Sequence, residues 1–307
     1  MTLSSASIGA NWFLDGVSNL QRTQLKTQRE ISSGFRIQDA ADSPSQIQEL
    51  VGLNSALAVN KTYELNLNRV QAEVNAADTA ISTAVKLIDT ARTLAQQGAG
   101  TLATSSDRIN LAVQVQSIQE QFVSLANTTT EGRFIFGGGQ DLSAPYRYNP
   151  ASSSGVDKLT TPTSPRVITD PSGVPLFQAI PASTLFDHSD SAGAALSDNA
   201  FAGLQTLVTA LQSNDAAGSA SALSSLESVS SWLNQQVASY GVSGARLSSE
   251  QTDAATQTTA LTAGISRIRD TDIVQAATDL SQETTAQSAA FAAQAQIPRK
   301  SLFDYLG

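Results

Sequence analysis

SRIRDTDIVQAATDLSQETTAQSAAFAAQAQIPRKSLFDYLG, residues 266–307, sets the terms on which the rest of the chain can fold. Between Asp270 and Gln296 there is no Gly and no Pro, and Ala is frequent, so the spacing predicts a helix. Ile273, Ala277, Leu280, Thr284, Gln287 and Phe291 recur in steps of four and three, the spacing of a stripe that packs on a second helix. The stripe is thin, because Thr284 and Gln287 stand where a self-sufficient core would place Leu. Near the other end, Phe13, Val17, Leu20, Gln24, Thr27 and Ile31 repeat the same steps, with large apolar residues outside and polar ones within. Laid antiparallel, Phe13 faces Phe291 and Ile31 faces Ile273. Neither stripe buries enough area to offset the entropy of ordering a long helix. Two architectures satisfy the pattern: one coiled unit that becomes firm inside an assembly, or two amphipathic helices of an ordinary bundle.

Composition narrows the function. Among 307 residues, Lys+Arg 18 against Asp+Glu 27 leaves a net charge of -9, which argues against nucleic acid and against an anionic membrane surface. Charged residues are only 15% and aromatics 6%, the palette of long, closely packed helices. With no Cys, there is neither a disulfide nor a thiolate site. The first basic residue is Arg22 and no long apolar run precedes it, so a cleavable signal peptide and membrane insertion are not expected.

The remaining elements follow in order. The first helix should stop at Ser32-Ser33-Gly34, where Gly34 can take the left-handed conformation that ends a helix. Ser43, Pro44 and Gln46 form a Ser-x-x-Gln restart with Pro at the first helical position. The second helix, 44–97, carries Leu67, Val70, Val74, Ala77, Ile81, Ala84, Ile88, Ala91 and Ala95 at unbroken heptad steps. A third follows the capping cluster Ser105-Ser106-Asp107, with Leu111, Val115, Ile118, Phe122 and Leu125 on one face. Arg133-Phe134-Ile135-Phe136 reads as a strand and Gly137-Gly138-Gly139 as a bend into a segment rich in Pro, Ser, Gly and Thr. There Tyr146 and Tyr148 alternate around Arg147, and Val167-Ile168-Thr169 with Asp170-Pro171-Ser172-Gly173 suggests a hairpin. Helix resumes near Asn199. After residues 214–218 comes a very long helix with Leu226, Leu233, Tyr240, Leu247, Ala254, Leu261 and Ile268 every seven residues. Gly241 and Gly244 interrupt it, and close approach of another helix is the expected compensation.

The fold expected is mainly α: a long antiparallel helical bundle or coiled coil formed by both chain ends, with a small β-rich insertion in the middle. Its expected parts are 1–42 plus 266–307 as a terminal coiled unit, 43–140 plus 198–265 as a helical bundle, and 141–197 as the insertion.

Catalytic motifs are missing. There is no phosphate loop, no nucleophile elbow and no paired-His helix, and Gly137-Gly138-Gly139 follows a strand without opening a helix. The single His188 lies in a polar loop between Asp187 and Asp190 and reads as exposed. Asp270 and Asp272 read as carboxylates serving a helix start. No enzyme, cofactor or metal site is expected.

What remains is interaction surface. Ile31-Ser32-Ser33-Gly34-Phe35-Arg36-Ile37, continuing to Asp39-Ala40-Ala41-Asp42-Ser43-Pro44, resembles the N-terminal signature of bacterial flagellins. Gly244-Ala245-Arg246-Leu247 and Ser266-Arg267-Ile268-Arg269-Asp270-Thr271-Asp272-Ile273 resemble motifs of that family's C-terminal helices. The stretch Glu131-Gly132-Arg133-Phe134-Ile135-Phe136-Gly137-Gly138 and the ending Ser301-Leu302-Phe303-Asp304-Tyr305-Leu306 are similar to the hook–filament junction branch of the family. The loop after Gly34 and the Ser266-Arg267-Ile268-Arg269-Asp270 segment are nearer to filament flagellin.

The resemblance implies a structural subunit of the flagellum, at the hook–filament junction or alternatively in the filament, with a cytoplasmic coiled-coil scaffold as the rival outside the family. It also implies self-association into a tubular or ring polymer, with other hook-associated proteins and flagellin as neighbours. Export without a cleaved signal, through the flagellar type III apparatus and with an export chaperone, and an extracellular place on the flagellum follow from the same likeness. The assembly interface expected from it comprises Phe13, Val17, Leu20, Ile31, Arg36, Ile37, Ile268, Arg269, Asp270, Ile273, Leu280 and Phe291. Phe134, Phe136, Gly137 and Gly138 would form the hinge into the insertion.

Overall fold

The computed structural model of the chain describes residues 5–161, 165–169 and 173–296. Helices dominate: α1 (Ser5–Ser33), α2 (Pro44–Ala99), α3 (Ser105–Ala126), α4 (Ala182–Leu185), α5 (Ala200–Gln212), α6 (Ala216–Arg269) and α7 (Ile273–Gln296). Between α3 and α5 lie six short strands: β1 (Thr129–Thr130), β2 (Arg133–Phe134), β3 (Tyr146–Tyr148), β4 (Val156–Lys158), β5 (Arg166–Thr169) and β6 (Pro175–Ala179). They pair as three separate antiparallel hairpins, β1–β2, β3–β4 and β5–β6. The expected mainly-α fold with a β insertion in the middle is the fold observed. Two compact units divide the chain, residues 1–60 with 256–307, and residues 61–255. No described helix is long and apolar enough to cross a membrane.

The 61–255 unit holds the main core. Each heptad residue of α2 from Leu67 to Ala95 is buried, as are Leu226, Leu233, Tyr240, Leu247 and Ala254 of α6. Burying side chains of this size stabilises by about 1.5–3 kcal/mol each for the larger ones, which explains why helices this long persist. Gly244 sits where Gln71 and Val74 of α2 pass within van der Waals reach of a would-be Cβ; Gly241 has no such neighbour among the described residues. Close approach therefore accounts for one of the two glycines.

Helix α3 begins one residue earlier than the Ser-Ser-Asp cluster suggests. Thr104 is its N-cap, its hydroxyl accepting from the Asp107 amide at 3.2 Å while the Asp107 carboxylate accepts from the Thr104 amide at 2.9 Å. This reciprocal box holds the Asp107 carboxyl below its ordinary pKa, first through the Thr104 hydroxyl and then through its amide. The next residue, Arg108, is buried. Its guanidinium donates to the Gly98 carbonyl (2.7 Å), the Gly100 carbonyl (3.0 Å) and Asn214 Oδ1 (2.6 Å). A cation placed on the last carbonyls of α2 complements the negative end of that helix and satisfies acceptors the helix itself leaves open.

The insertion is tied down by aromatic rings. Phe122 of α3 lies edge-on to Phe186 and Phe201, with centroids 5.3 and 6.0 Å away, and Tyr146 packs on Phe201 at 4.9 Å. Tyr146 faces inward, Arg147 outward and Tyr148 is half-buried, the alternation expected of that strand. The Tyr146 hydroxyl donates to Asp187 at 2.9 Å, and burial, together with the Asp187 charge, pushes its pKa well above the ordinary tyrosine value. His188 corrects the expectation of an exposed residue. Its Nδ1 lies 2.9 Å from Asp198, and its ring stacks on Trp232 with centroids 5.4 Å apart. The partner is ten residues away rather than beside it, and only the loop's return over α6 makes the contact. The β5–β6 hairpin forms as expected, although residues 170–172 of its proposed turn lie outside the described residues.

Candidate assembly site

The 1–60/256–307 unit pairs α1 with α7 antiparallel. On α1 the inward row is the one the sequence indicates. Phe13, Val17, Leu20, Gln24 and Ile31 are half-buried and Thr27 is buried. At one end Phe13 meets Phe291 edge to face at 6.4 Å. In the middle the contacts are polar, with Gln24 Nε2 donating to Thr284 Oγ1 (3.4 Å) and the Thr27 hydroxyl to Glu283 (3.2 Å). On α7 the inward row is rotated from the expected one. Ala276 is the buried residue there, Leu280, Glu283, Gln287 and Ala290 are half-buried, and Ile273 remains 55% exposed. Ile273, expected to face Ile31, is thus mostly open to solvent rather than sealed into the seam. A seam of Ala, Thr and Gln gives little difference in apolar area between adjacent rows, so the pattern alone does not select one. Asp272 caps the start of α7, its carboxylate accepting from the amides of Val274 and Gln275 at 3.0 and 3.1 Å.

Where α1 stops and α6 passes into α7, the two sequence motifs come together. Gly34 adopts φ +76°, a left-handed turn that a β-carbon would strain, and redirects the chain toward α2. Phe35 then forms a β-bridge with Asp270. The Arg36 amide donates to the Arg269 carbonyl at 2.7 Å, and the Thr271 amide donates to the Gly34 carbonyl at 2.9 Å. The Arg36 guanidinium donates to the Ile268 carbonyl (2.7 Å) and to Gln46 Oε1 (3.1 Å), while the Arg269 guanidinium lies 4.0 Å over the Phe35 ring. Beneath them Ile37, Leu50 and Ile265 form a small core, with Ile268 packed against it. Ser266 and Arg269 both donate to the Asp270 carboxylate and hold its pKa below the ordinary value, Ser266 contributing most. Asp42 accepts from the amides of Asp39 and Gln38, which lower its pKa likewise. Ser43 and Gln46 meet through their side chains, the hydroxyl donating to Oε1, rather than as a reciprocal backbone box.

This clasp gathers Arg36, Ile37, Ile268, Arg269 and Asp270, while Phe13, Val17, Leu20, Ile31, Leu280 and Phe291 line the helix pair. Sequence reading missed Phe35, Thr271 and Gln38, whose amide donates to Ser33 Oγ at 2.7 Å. A signal was available. Carried down from the Phe13–Phe291 pair at equal steps, the antiparallel register sets the break at Gly34 beside Asp270. Outside the clasp the same unit leaves Trp12 78%, Val274 78% and Leu14 62% exposed. Trp12 and Leu14 stand at the Phe13–Phe291 end of the helix pair and Val274 at the end next to the clasp.

The expected hinge lies in the 61–255 unit and differs from a continuous strand. Glu131 and Gly132, with φ of 52° and 76°, make a two-residue turn between β1 and β2, which sequence reading passed over. The strand ends at Phe134, which is half-buried, and the chain turns there, the Gly137 amide donating to the Phe134 carbonyl at 3.0 Å. Phe134 and Phe136 therefore do not share a strand face. Phe136 is fully buried against Phe186 at 5.5 Å. At Gly137 a β-carbon would sit 2.8 Å from the Asp141 Cα, and Gly138 has φ +56°, so the bend admits no larger residue without rearrangement.

Among the described residues no cluster of His, Asp and Glu could hold a metal ion. Residues 6–141 match the bacterial flagellin N-terminal helical region, and residues 223–306 match the bacterial flagellin C-terminal helical region. Flagellar hook-associated protein 3 of Salmonella typhimurium is 29% identical over 206 residues, covering 65% of this chain and 63% of that protein, so the match spans less than two thirds of the relative. Flagellin B of Helicobacter pylori is 33% identical over 131 residues, 43% of this chain and 24% of that protein. A flagellar hook-associated protein structure from Vibrio parahaemolyticus superimposes with a TM-score of 0.64 at 16% identity, covering 75% of this chain and all of that one, a likeness of fold. With both helical regions matched over well over half its length, and their two motifs joined in one clasp, the chain belongs to the bacterial flagellin family.

Proposed function

We propose that this chain is a structural subunit of the bacterial flagellum that polymerises through its terminal helices and connects hook to filament. The observation that carries the reading is the clasp, in which backbone hydrogen bonds join the two chain ends carrying the matched helical regions. Among the described residues, α1 and α7 pair with each other, yet Trp12, Leu14 and Val274 remain open to solvent. The likeness to a hook-associated protein supports the junction over the filament, since it covers 65% of the chain against 43% for the flagellin. In this reading the subunit is not an enzyme and takes no cofactor. Its neighbours are its own copies, other hook-associated proteins and flagellin. It reaches the outside through the flagellar export apparatus with a chaperone's help.

Mass spectrometry of separated hook-basal-body and filament fractions tests this. A junction subunit appears at a few copies per hook and stays with the hook when filaments are depolymerised. Recovery along the whole filament selects the filament subunit instead, and absence from both fractions rejects the reading.

A further inference from the structure

A cleft of about 270 Å³ opens in the 61–255 unit between α2, β2 and the β5–β6 hairpin. Leu67 and Val70 of α2 with Ile168 and Leu176 of the hairpin form an apolar floor, Asn66 and Thr169 add polar groups, and Tyr63 stands at one side. Three guanidinium groups, Arg69, Arg133 and Arg166, line it as well, against a single carboxylate, Glu73. Glu131 and Asp141, just outside the lining, pair with Arg69 and Arg133, so the three guanidinium groups are balanced by three carboxylates.

The arginines differ in how far they are used. Arg166 is committed to the hairpin's attachment, pairing with the buried Glu73 and lying 3.9 Å from Asp141. Arg69 gives only Nε to Glu131 (2.9 Å), and Arg133 gives only Nη1 to Asp141 (2.8 Å). A guanidinium carries five N–H donors in a fixed fork. Among the described residues, the remaining nitrogens of Arg69 and Arg133 have no protein partner. Donors suited to bidentate recognition of an anion thus border an apolar floor. A hydrophilic anion such as phosphate would satisfy the donors and leave the floor wet, whereas an uncharged apolar group would leave the donors unused.

We infer that this cleft is a binding site for an amphipathic carboxylate, its flat or branched apolar body against Leu67, Val70, Ile168 and Leu176 and its carboxylate on Arg133 and Arg69. At about 30 Å³ per liquid water the volume equals roughly nine waters, enough for a body the size of one aromatic side chain. The chemistry has two sources: a free small carboxylate, or an acidic side chain next to an apolar one on a second copy of this chain.

The test uses the full-length monomer, methyl-labelled for NMR, with 3-phenylpropionate as probe and 3-phenylpropanamide as its uncharged match. The carboxylate is expected to shift the Ile168 and Leu176 methyls saturably and to bind at least about tenfold more tightly than the amide. Arg133→Gln, with its thermal melt checked against the parent, should remove that preference. No saturable shift, or equal binding of acid and amide, overturns the inference, and the probe comparison needs no variant. A second arm separates the sources. If 3-phenylpropionate slows polymerisation the occupant is a neighbouring copy, and if polymerisation proceeds unchanged with the cleft saturated it is a free molecule; either result keeps the site. The monomer titration stands independently of the polymer reading.

Discussion

Phe13 and Phe291, near opposite ends of the chain, meet edge to face with their ring centres 6.4 Å apart. The contact fixes the axial alignment of α1 and α7 where polar pairs such as Gln24–Thr284 would tolerate slippage. Edge-to-face pairs add about 0.5–1.5 kcal/mol beyond the area they bury. The chain has no Cys, so disulfide trapping reads the alignment directly. Cysteines at positions 13 and 291 should cross-link within one subunit. Links only between subunits, or preferred capture of a position one heptad away, would show that the polymer uses another pairing.

Order in the terminal pair should depend on assembly. Ala276 is the buried residue of α7, whereas α2 buries its seam from Leu67 to Ala95 throughout. Amide exchange on the monomer should be fast along α1 and α7 and slow along 67–95. In the polymer, α1 and α7 should become protected too. Equal protection of both regions in the monomer would contradict assembly-coupled ordering.

Arg36→Ala removes the guanidinium contacts to the Ile268 carbonyl and Gln46 while leaving the backbone bridge. Because Arg36 is exposed, the loss should be small, about 1 kcal/mol. It should be local: the Arg36 and Thr271 amides exchange faster, and those of α3 do not change. Global destabilisation on the scale of a core truncation would mean that Arg36 serves a different role.

Phe136→Ala should destabilise the 61–255 unit by about 3–5 kcal/mol, since the ring is fully buried against Phe186. The half-buried Phe134 should cost clearly less on the same change. Urea unfolding of both variants gives the comparison, and equal losses would place the two rings in equivalent environments.

Acid should open the clasp. Asp270 and Asp42 have folded pKa values below the ordinary 3.8, held down chiefly by Ser266 and by the amides of Asp39 and Gln38. For a depressed carboxyl the stabilisation is fully present above the unfolded value and is lost as pH falls below it through the folded value. Protection of the Thr271 amide, corrected for intrinsic exchange, should therefore hold from neutrality down to about 3.8 and fall below it. Loss centred well above that value would point to another group. Asp270→Asn should remove that group's share of the step.

The long helices, the α1, α2 and α6 seams, and the β-rich interruption were legible in the amino-acid order. These rest on periodicity, and a heptad of Leu, Val and Ile tolerates one rotation only, because any other puts large apolar groups in water. Which row of α7 turns inward emerged only in the folded chain, because Ala, Thr and Gln make neighbouring rows nearly equal in energy. Tertiary structure also decided the partners of Arg108 and His188, which lie on segments distant in sequence. The joining of Phe35 with Asp270 belongs to the same class: each motif was legible in its own stretch, but a backbone bridge between them exists only once both ends of the chain lie side by side.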